Sequence, residues 1–154
     1  MQQEIDYLKM LAENGGPTES QYEDLGHLYK TVNQRRKKGV VTDAEVMNVW
    51  QSVPEVYITK DTMQGYALLK PHGYSGDYVI IERIYEQWIS PKEHLINWDR
   101  FFHKQEAPRA IINRKKYFLD MLHTLQKKDG KRHVLNIGCG TYNDVVECLS
   151  KGDS

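Results

Sequence analysis

Cysteine is scarce in this chain of 154 residues: Cys139 and Cys148 are the only two, and no C-x-x-C framework accompanies them. That excludes a disulfide scaffold and leads us to expect two free thiols in a reducing compartment. Net charge is missing as well. Lys+Arg and Asp+Glu both number 21, so no overall field draws the chain to nucleic acid or anionic lipid. No stretch approaches the roughly 18 consecutive apolar residues of a membrane span, and the opening MQQEIDYLKM lacks the basic and apolar regions of a signal peptide. A cytoplasmic protein with no membrane span is expected. The six histidines, His27, His72, His94, His103, His123 and His133, form no H-x-H or H-E-x-x-H pattern, which argues against a metal site. G-x-x-x-x-G-K-[ST] and G-x-S-x-G are both absent, removing the common triphosphatase and serine-hydrolase signatures. There is also no repeat of about 20 to 50 residues, so a helical array is excluded.

What is present is first of all helical. Ile5, Leu8 and Leu11 recur at helical spacing until Asn14-Gly15-Gly16-Pro17 stops them. Thr18-x-x-Gln21 and Thr42-x-x-Glu45 are two capping boxes, each opening a helix. The first of these helices carries Tyr22, Leu25, Leu28, Tyr29 and Val32 and runs into Gln34-Arg35-Arg36-Lys37-Lys38-Gly39. Basic side chains followed by glycine suit a helix C-terminus better than a nucleic-acid patch in a chain of zero net charge. The second carries Val46, Val49 and Trp50 and must end before Pro54. After it, Val56-Tyr57-Ile58-Thr59 is short and β-rich, which predicts an extended segment.

Two later stretches carry the chemistry. Lys70-Pro71-His72-Gly73-Tyr74-Ser75-Gly76-Asp77-Tyr78 is a turn-rich loop with two tyrosines, and Asp77 stands where it would cap the apolar helix of Val79, Ile80, Ile81, Ile84, Tyr85 and Trp88. Irregular loops with aromatics are where binding groups often sit. Asp77 and Tyr74, ahead of His72, are the candidates for a base or an orienting group. The longest predicted helix, Ala107 to Lys127, places Arg114 on a stripe with Ile111, Phe118, Leu122 and Leu125, where a structural ion pair is the simplest role for it. The second stretch is Lys131 to Val146. Val134 to Ile137 reads as a strand that enters Gly138-Cys139-Gly140, and Thr141, Asn143 and Asp144 then favour a helix start. Such a corner brings a ligand close to backbone amides. A third glycine is missing, so a pyrophosphate cofactor is disfavoured.

The corner resembles the first cofactor motif of the class I S-adenosylmethionine-dependent methyltransferases, with Asn136 in the acidic position and Tyr142 in that of the last glycine. The run KPHGYSGDYVIIERIY is similar to a K-P-x-G-Y-x-G-D-[YF] segment in a bacterial group of these enzymes with a helical N-terminal region, some associated with making a hydroxy-fatty-acid methyl ester signal. The run AIINRKKYFL, Ala110 to Leu119, is similar to the group's A-[VI]-x-N-R-[KR]-x-[FY]-L helix. This resemblance implies a mainly α chain: a helical region over 1–130, then the incomplete first β-α unit of a Rossmann-like domain over 131–154. It implies S-adenosyl-L-methionine as cofactor, approached by Asn136, Gly138, Cys139, Gly140 and Arg114, with Tyr74 and Asp77 as catalytic candidates and a small-molecule or fatty-acid-like acceptor. Because the second strand and ribose carboxylate of such a unit lie beyond Ser154, negligible cofactor affinity and no activity are expected of these residues alone. The core should look all-helical and the tail from about His133 should be weakly placed. The lone strand is expected to pack on the helices, to pair with a second copy or to stay poorly ordered. The competing expectation is a non-enzymatic helical module whose loop binds a protein or small ligand.

Overall fold

The computed structural model describes residues 1–74, 77–126, 133, 135, 137, 140 and 143–150; these form helices, and among them there is no strand. Helix α1 (Gln2–Glu13) ends where expected, with Gly15 and Gly16 at φ 75° and 99° and their amides donating back to Ala12 and Leu11. Gly16 also permits a close approach, since a Cβ there would lie 3.0 Å from Asn97 Cβ and from the Trp98 ring. The Asn97 amide donates to the Gly15 carbonyl at 3.1 Å, so the end of α1 is seated on α7 (Ile96–Lys104).

Helix α2 (Tyr22–Lys37) follows a single 3-10 turn, Glu19–Gln21, and the Gln21 side chain accepts from the Thr18 amide at 2.9 Å. Its basic end is paired as a helix terminus should be: Arg35 meets Glu4 at 2.9 Å and Arg36 meets Asp43 at 2.6 Å. In the Thr42 box of α3 (Asp43–Gln51), Glu45 accepts from the Thr42 amide and donates its own amide to the Thr42 hydroxyl.

The extended segment expected at Val56–Thr59 is a helical turn, α4 (Pro54–Tyr57), opened by Pro54 at its first position. A strand would put Val56 and Ile58 on one face. The core instead takes the neighbours Val56 and Tyr57, 0% and 4% exposed, and leaves Ile58 38% exposed. An isolated extended segment would also lack backbone partners, a cost that local β-propensity does not offset.

Two main clusters form the interior. Leu8, Leu11, Leu25, Val49, Val53, Val56, Tyr57, Leu95, Trp98 and Phe101 join α1 to α4 with α7. Around them Tyr22 and Tyr29 meet Phe101 edge-on at 5.3 and 5.6 Å, and the Tyr29 and Tyr57 hydroxyls share a hydrogen bond of 2.5 Å. The second cluster joins α5 (Met63–Leu69) and α6 (Tyr78–Tyr85) through Met63, Tyr66, Ile80 and Ile84, with Ile111 and Ile112 of α8 (Glu106–Gln126) packed on it. Helix α9 (Asn143–Ser150) packs on α8.

The stripe on α8 runs through Lys115 rather than Arg114. Ile111 is followed inward by Lys115, Leu119 and Leu122, while Arg114 is exposed and makes no ion pair among the described residues. Steps of three and four both keep a helical face, and tertiary packing selected the step of four here. In the expected strand, Val134 and Asn136 lie outside the described residues. Leu135 and Ile137 lie outside any strand and are 84% and 86% exposed, so the exposed strand expected to mediate self-association is not formed among the described residues.

Candidate functional site

The site is built on the turn between α5 and α6. Thr62 opens α5, its hydroxyl accepting from the Gly65 amide at 2.9 Å and donating to the Val56 carbonyl at 2.5 Å. Gly65 is compulsory for that docking: a Cβ would stand 2.1 Å from the Thr59 carbonyl oxygen and 2.8 Å from that of Val56. α5 stops at Lys70, which adopts φ 47°, and the Gly73 amide closes back on the Lys70 carbonyl at 2.8 Å. The loop then swings out. His72 and Tyr74 are exposed, Tyr78 is 46% exposed, and the His72 ring meets Tyr78 edge-on at 5.1 Å.

Asp77 turns the other way. It is 1% exposed and accepts from the Ile80 amide at 3.0 Å, capping α6 as its sequence position predicted. Tyr74, by comparison, is 52% exposed. What both approach is a residue that sequence reasoning overlooked. Tyr66 of α5 is 5% exposed; burial first, then the charge of Asp77 and the neighbouring Tyr78 and Tyr74, raise its phenol above its ordinary value, while Arg83 pulls it down. Its hydroxyl makes no hydrogen bond among the described residues, and the raised pKa keeps it neutral, free to donate a hydrogen bond.

Beneath Tyr66 lies a charged layer. The Arg83 guanidinium sits 4.5 Å from the Tyr66 ring centroid and 4.3 Å from that of Trp88, and it donates to the Lys60 carbonyl at 3.0 Å. Asp99 of α7 is fully buried and accepts from the Met63 and Ser90 amides, both at 2.8 Å. Burial pushes its carboxyl up to about 6, against the two amides and Arg83, which pull it down. One turn on, His103 Nε2 donates to the Trp88 carbonyl at 2.8 Å, leaving Nδ1 without a partner; burial lowers its pKa. Asp99 and His103 therefore hold the Trp88–Ser90 segment that walls Arg83. Arg83 could have been suspected from sequence as the lone cation beside Ile80 and Ile84 on α6. Nothing local marks Asp99.

Of the cofactor candidates, Asn136, Gly138 and Cys139 lie outside the described residues. Gly140 has φ 57°, the left-handed conformation for which glycine suits such a corner, with open space where a Cβ would be. Arg114 is on the exposed side of α8. Among the described residues no three His, Cys, Asp or Glu side chains converge on a metal position, and no helix is long and apolar enough to cross a membrane. Comparison with protein-family models, with curated proteins and with solved structures found no match.

Proposed function

We propose that this chain supplies the helical region and the cofactor-binding corner of a cytoplasmic S-adenosyl-L-methionine-dependent methyltransferase acting on a small-molecule or fatty-acid-like acceptor. The observation that carries the reading is a convergence in space. Lys115, in the AIINRKKYFL helix, lies with its Nζ 4.8 Å from the ring centroid of Tyr85, in the KPHGYSGDYVIIERIY segment, and 2.7 Å from Glu147, in the helix that follows the glycine corner. Three segments read separately as parts of one enzyme thus meet on one side chain. On this reading the 131–154 stretch is the first β-α unit of a Rossmann-like domain, and Asn136, Gly138, Cys139 and Gly140 face the methionine end of the cofactor. Tyr74 and Tyr66 face the acceptor, where the sulfonium methyl must be aligned with the accepting atom. Asp77 acts by holding the loop and the start of α6, and Arg114 stays available to the cofactor domain.

Calorimetric titration of the gene's complete product with S-adenosylhomocysteine tests this. Saturable binding that Gly140→Val weakens at least about tenfold is expected, since a branched side chain strains a left-handed position. Absence of heat would favour the second reading, a helical binding module without catalysis. The exposed Leu69, His72, Tyr74 and Tyr78 around one loop favour that alternative.

A further inference from the structure

We propose that Arg83 is a carboxylate-binding site, independent of the methyltransferase reading. Arginine presents five N–H donors in a flat fork. At Arg83 one terminal nitrogen donates to the Lys60 carbonyl, and no carboxylate among the described residues lies within ion-pair distance of the rest. A partly buried arginine without a carboxylate or phosphate is unusual. Two acids that act on it electrostatically are both engaged elsewhere. Asp61 is bound to Lys92 at 2.6 Å, and the two oxygens of Asp99 are taken by the Met63 and Ser90 amides. The guanidinium is nevertheless held in place: it packs on the rings of Tyr66 and Trp88 at 4.5 and 4.3 Å from their centroids, and the Trp88 carbonyl is in turn held by His103. The structure thus holds a cation against two rings and leaves N–H donors of its fork without an acid partner among the described residues, the preorganisation that oxyanion recognition requires.

The neighbouring charges also select the charge of the anion. A carboxylate is planar and can lie in the plane of the fork with both oxygens on N–H groups. Asp61 and Asp99 nearby disfavour a dianion such as hydrogen phosphate or sulfate more than a monoanion. A singly charged carboxylate is the chemical class that fits.

Nitrogen-15 correlation spectra of the 154-residue protein, recorded at constant ionic strength while acetate or inorganic phosphate is added, test the assignment. The Trp88 indole N–H and the Arg83 Nε–H are expected to shift with acetate and to saturate in about the millimolar range, with the Trp50 indole unmoved. Arg83→Lys keeps the charge but not the fork and should weaken acetate at least about tenfold; Arg83→Gln should abolish saturation. If a variant's spectrum shows lost folding, the other variant and the wild-type pair of titrations decide. A linear, non-saturating acetate response in the wild type, or unchanged affinity in Arg83→Lys, overturns the site. Phosphate bound as tightly as acetate overturns the selection for a singly charged anion.

Discussion

The two interior clusters are built from different materials. Between α1, α2, α3, α4 and α7, the core is apolar and aromatic: Trp98 and Phe101 are fully buried, and the buried hydroxyls of Tyr29 and Tyr57 satisfy each other. Burial holds both of those phenols well above their ordinary values, so they stay neutral and take no part in proton chemistry near pH 7. Between α5, α6 and α8, the apolar residues are fewer, and Arg83, Lys115, Asp77 and Asp99 are threaded among the rings. Burying charge costs stability unless each group is paired or hydrogen-bonded. The first cluster can therefore be understood as what holds the chain folded. The second spends part of that stability on fixed polar groups beside an exposed loop, the usual placement of binding groups on a rigid scaffold.

The sharpest break of this contrast is Trp98→Ala. Trp98 packs edge-on against Tyr57 at 5.9 Å and closes on Gly16, so its loss leaves a cavity where α1, α4 and α7 meet. A loss of about 3–5 kcal/mol in unfolding free energy is expected, measured by urea denaturation. A loss below about 1 kcal/mol would mean that the first cluster is not what holds the chain folded.

Local chemistry and long-range packing separate in the same way when set against the amino-acid pattern. The ends of α1 and α2, the Thr42 box and the Asp77 cap were all legible, because each depends on residues within four positions of one another. The turn at Pro54–Tyr57 was not, because which neighbours of Val56 are buried depends on α3, α5 and α7, far away in sequence. On the α8 stripe Ile111, Phe118, Leu122 and Leu125 are buried or half-buried as the spacing predicts; Arg114 alone departs, for the same reason, and the ion pair expected of it belongs to Lys115. At the candidate site the loop was legible and its floor was not. Tyr66, Arg83, Trp88 and Asp99 come from α5, α6, the turn after α6 and α7, and no spacing links them.

A smaller effect, with a definite pH signature, belongs to Asp99 in the second cluster. Its carboxyl titrates at about 6 when folded, above its ordinary 3.8, so it binds a proton more tightly in the folded state. Its contribution is full below about pH 4 and is lost as pH rises through 6. Replacing it by Asn removes that titration and sets an amide group against one of the two backbone N–H groups. The variant should be less stable than wild type by an amount that shrinks between pH 4 and pH 7, by on the order of 1–3 kcal/mol. Parallel urea titrations at several pH values read this directly. A constant difference would place the Asp99 pKa near its ordinary value and make its role purely one of hydrogen bonding.

The smallest effects distinguish structure from function inside the loop itself. Asp77 is buried and caps α6, so Asp77→Ala should lower stability by about 1 kcal/mol, while Asp77→Asn keeps a capping oxygen and should cost a few tenths. Tyr74 is half exposed and its ring makes no aromatic pair among the described residues, so Tyr74→Phe should leave unfolding within about 0.5 kcal/mol of wild type. The methyl-transfer reading asks for the opposite ranking in activity. In the gene's complete product, Tyr74→Phe should cut turnover more than Asp77→Asn does, because the exposed hydroxyl is the one that can reach an acceptor and the buried carboxylate works through the loop it holds. Turnover unchanged in Tyr74→Phe but lowered in step with melting temperature in Asp77→Ala would leave the loop as scaffold. The acceptor would then have to be sought along Tyr66 and Tyr78, which lie close enough for Tyr78 to raise the Tyr66 phenol.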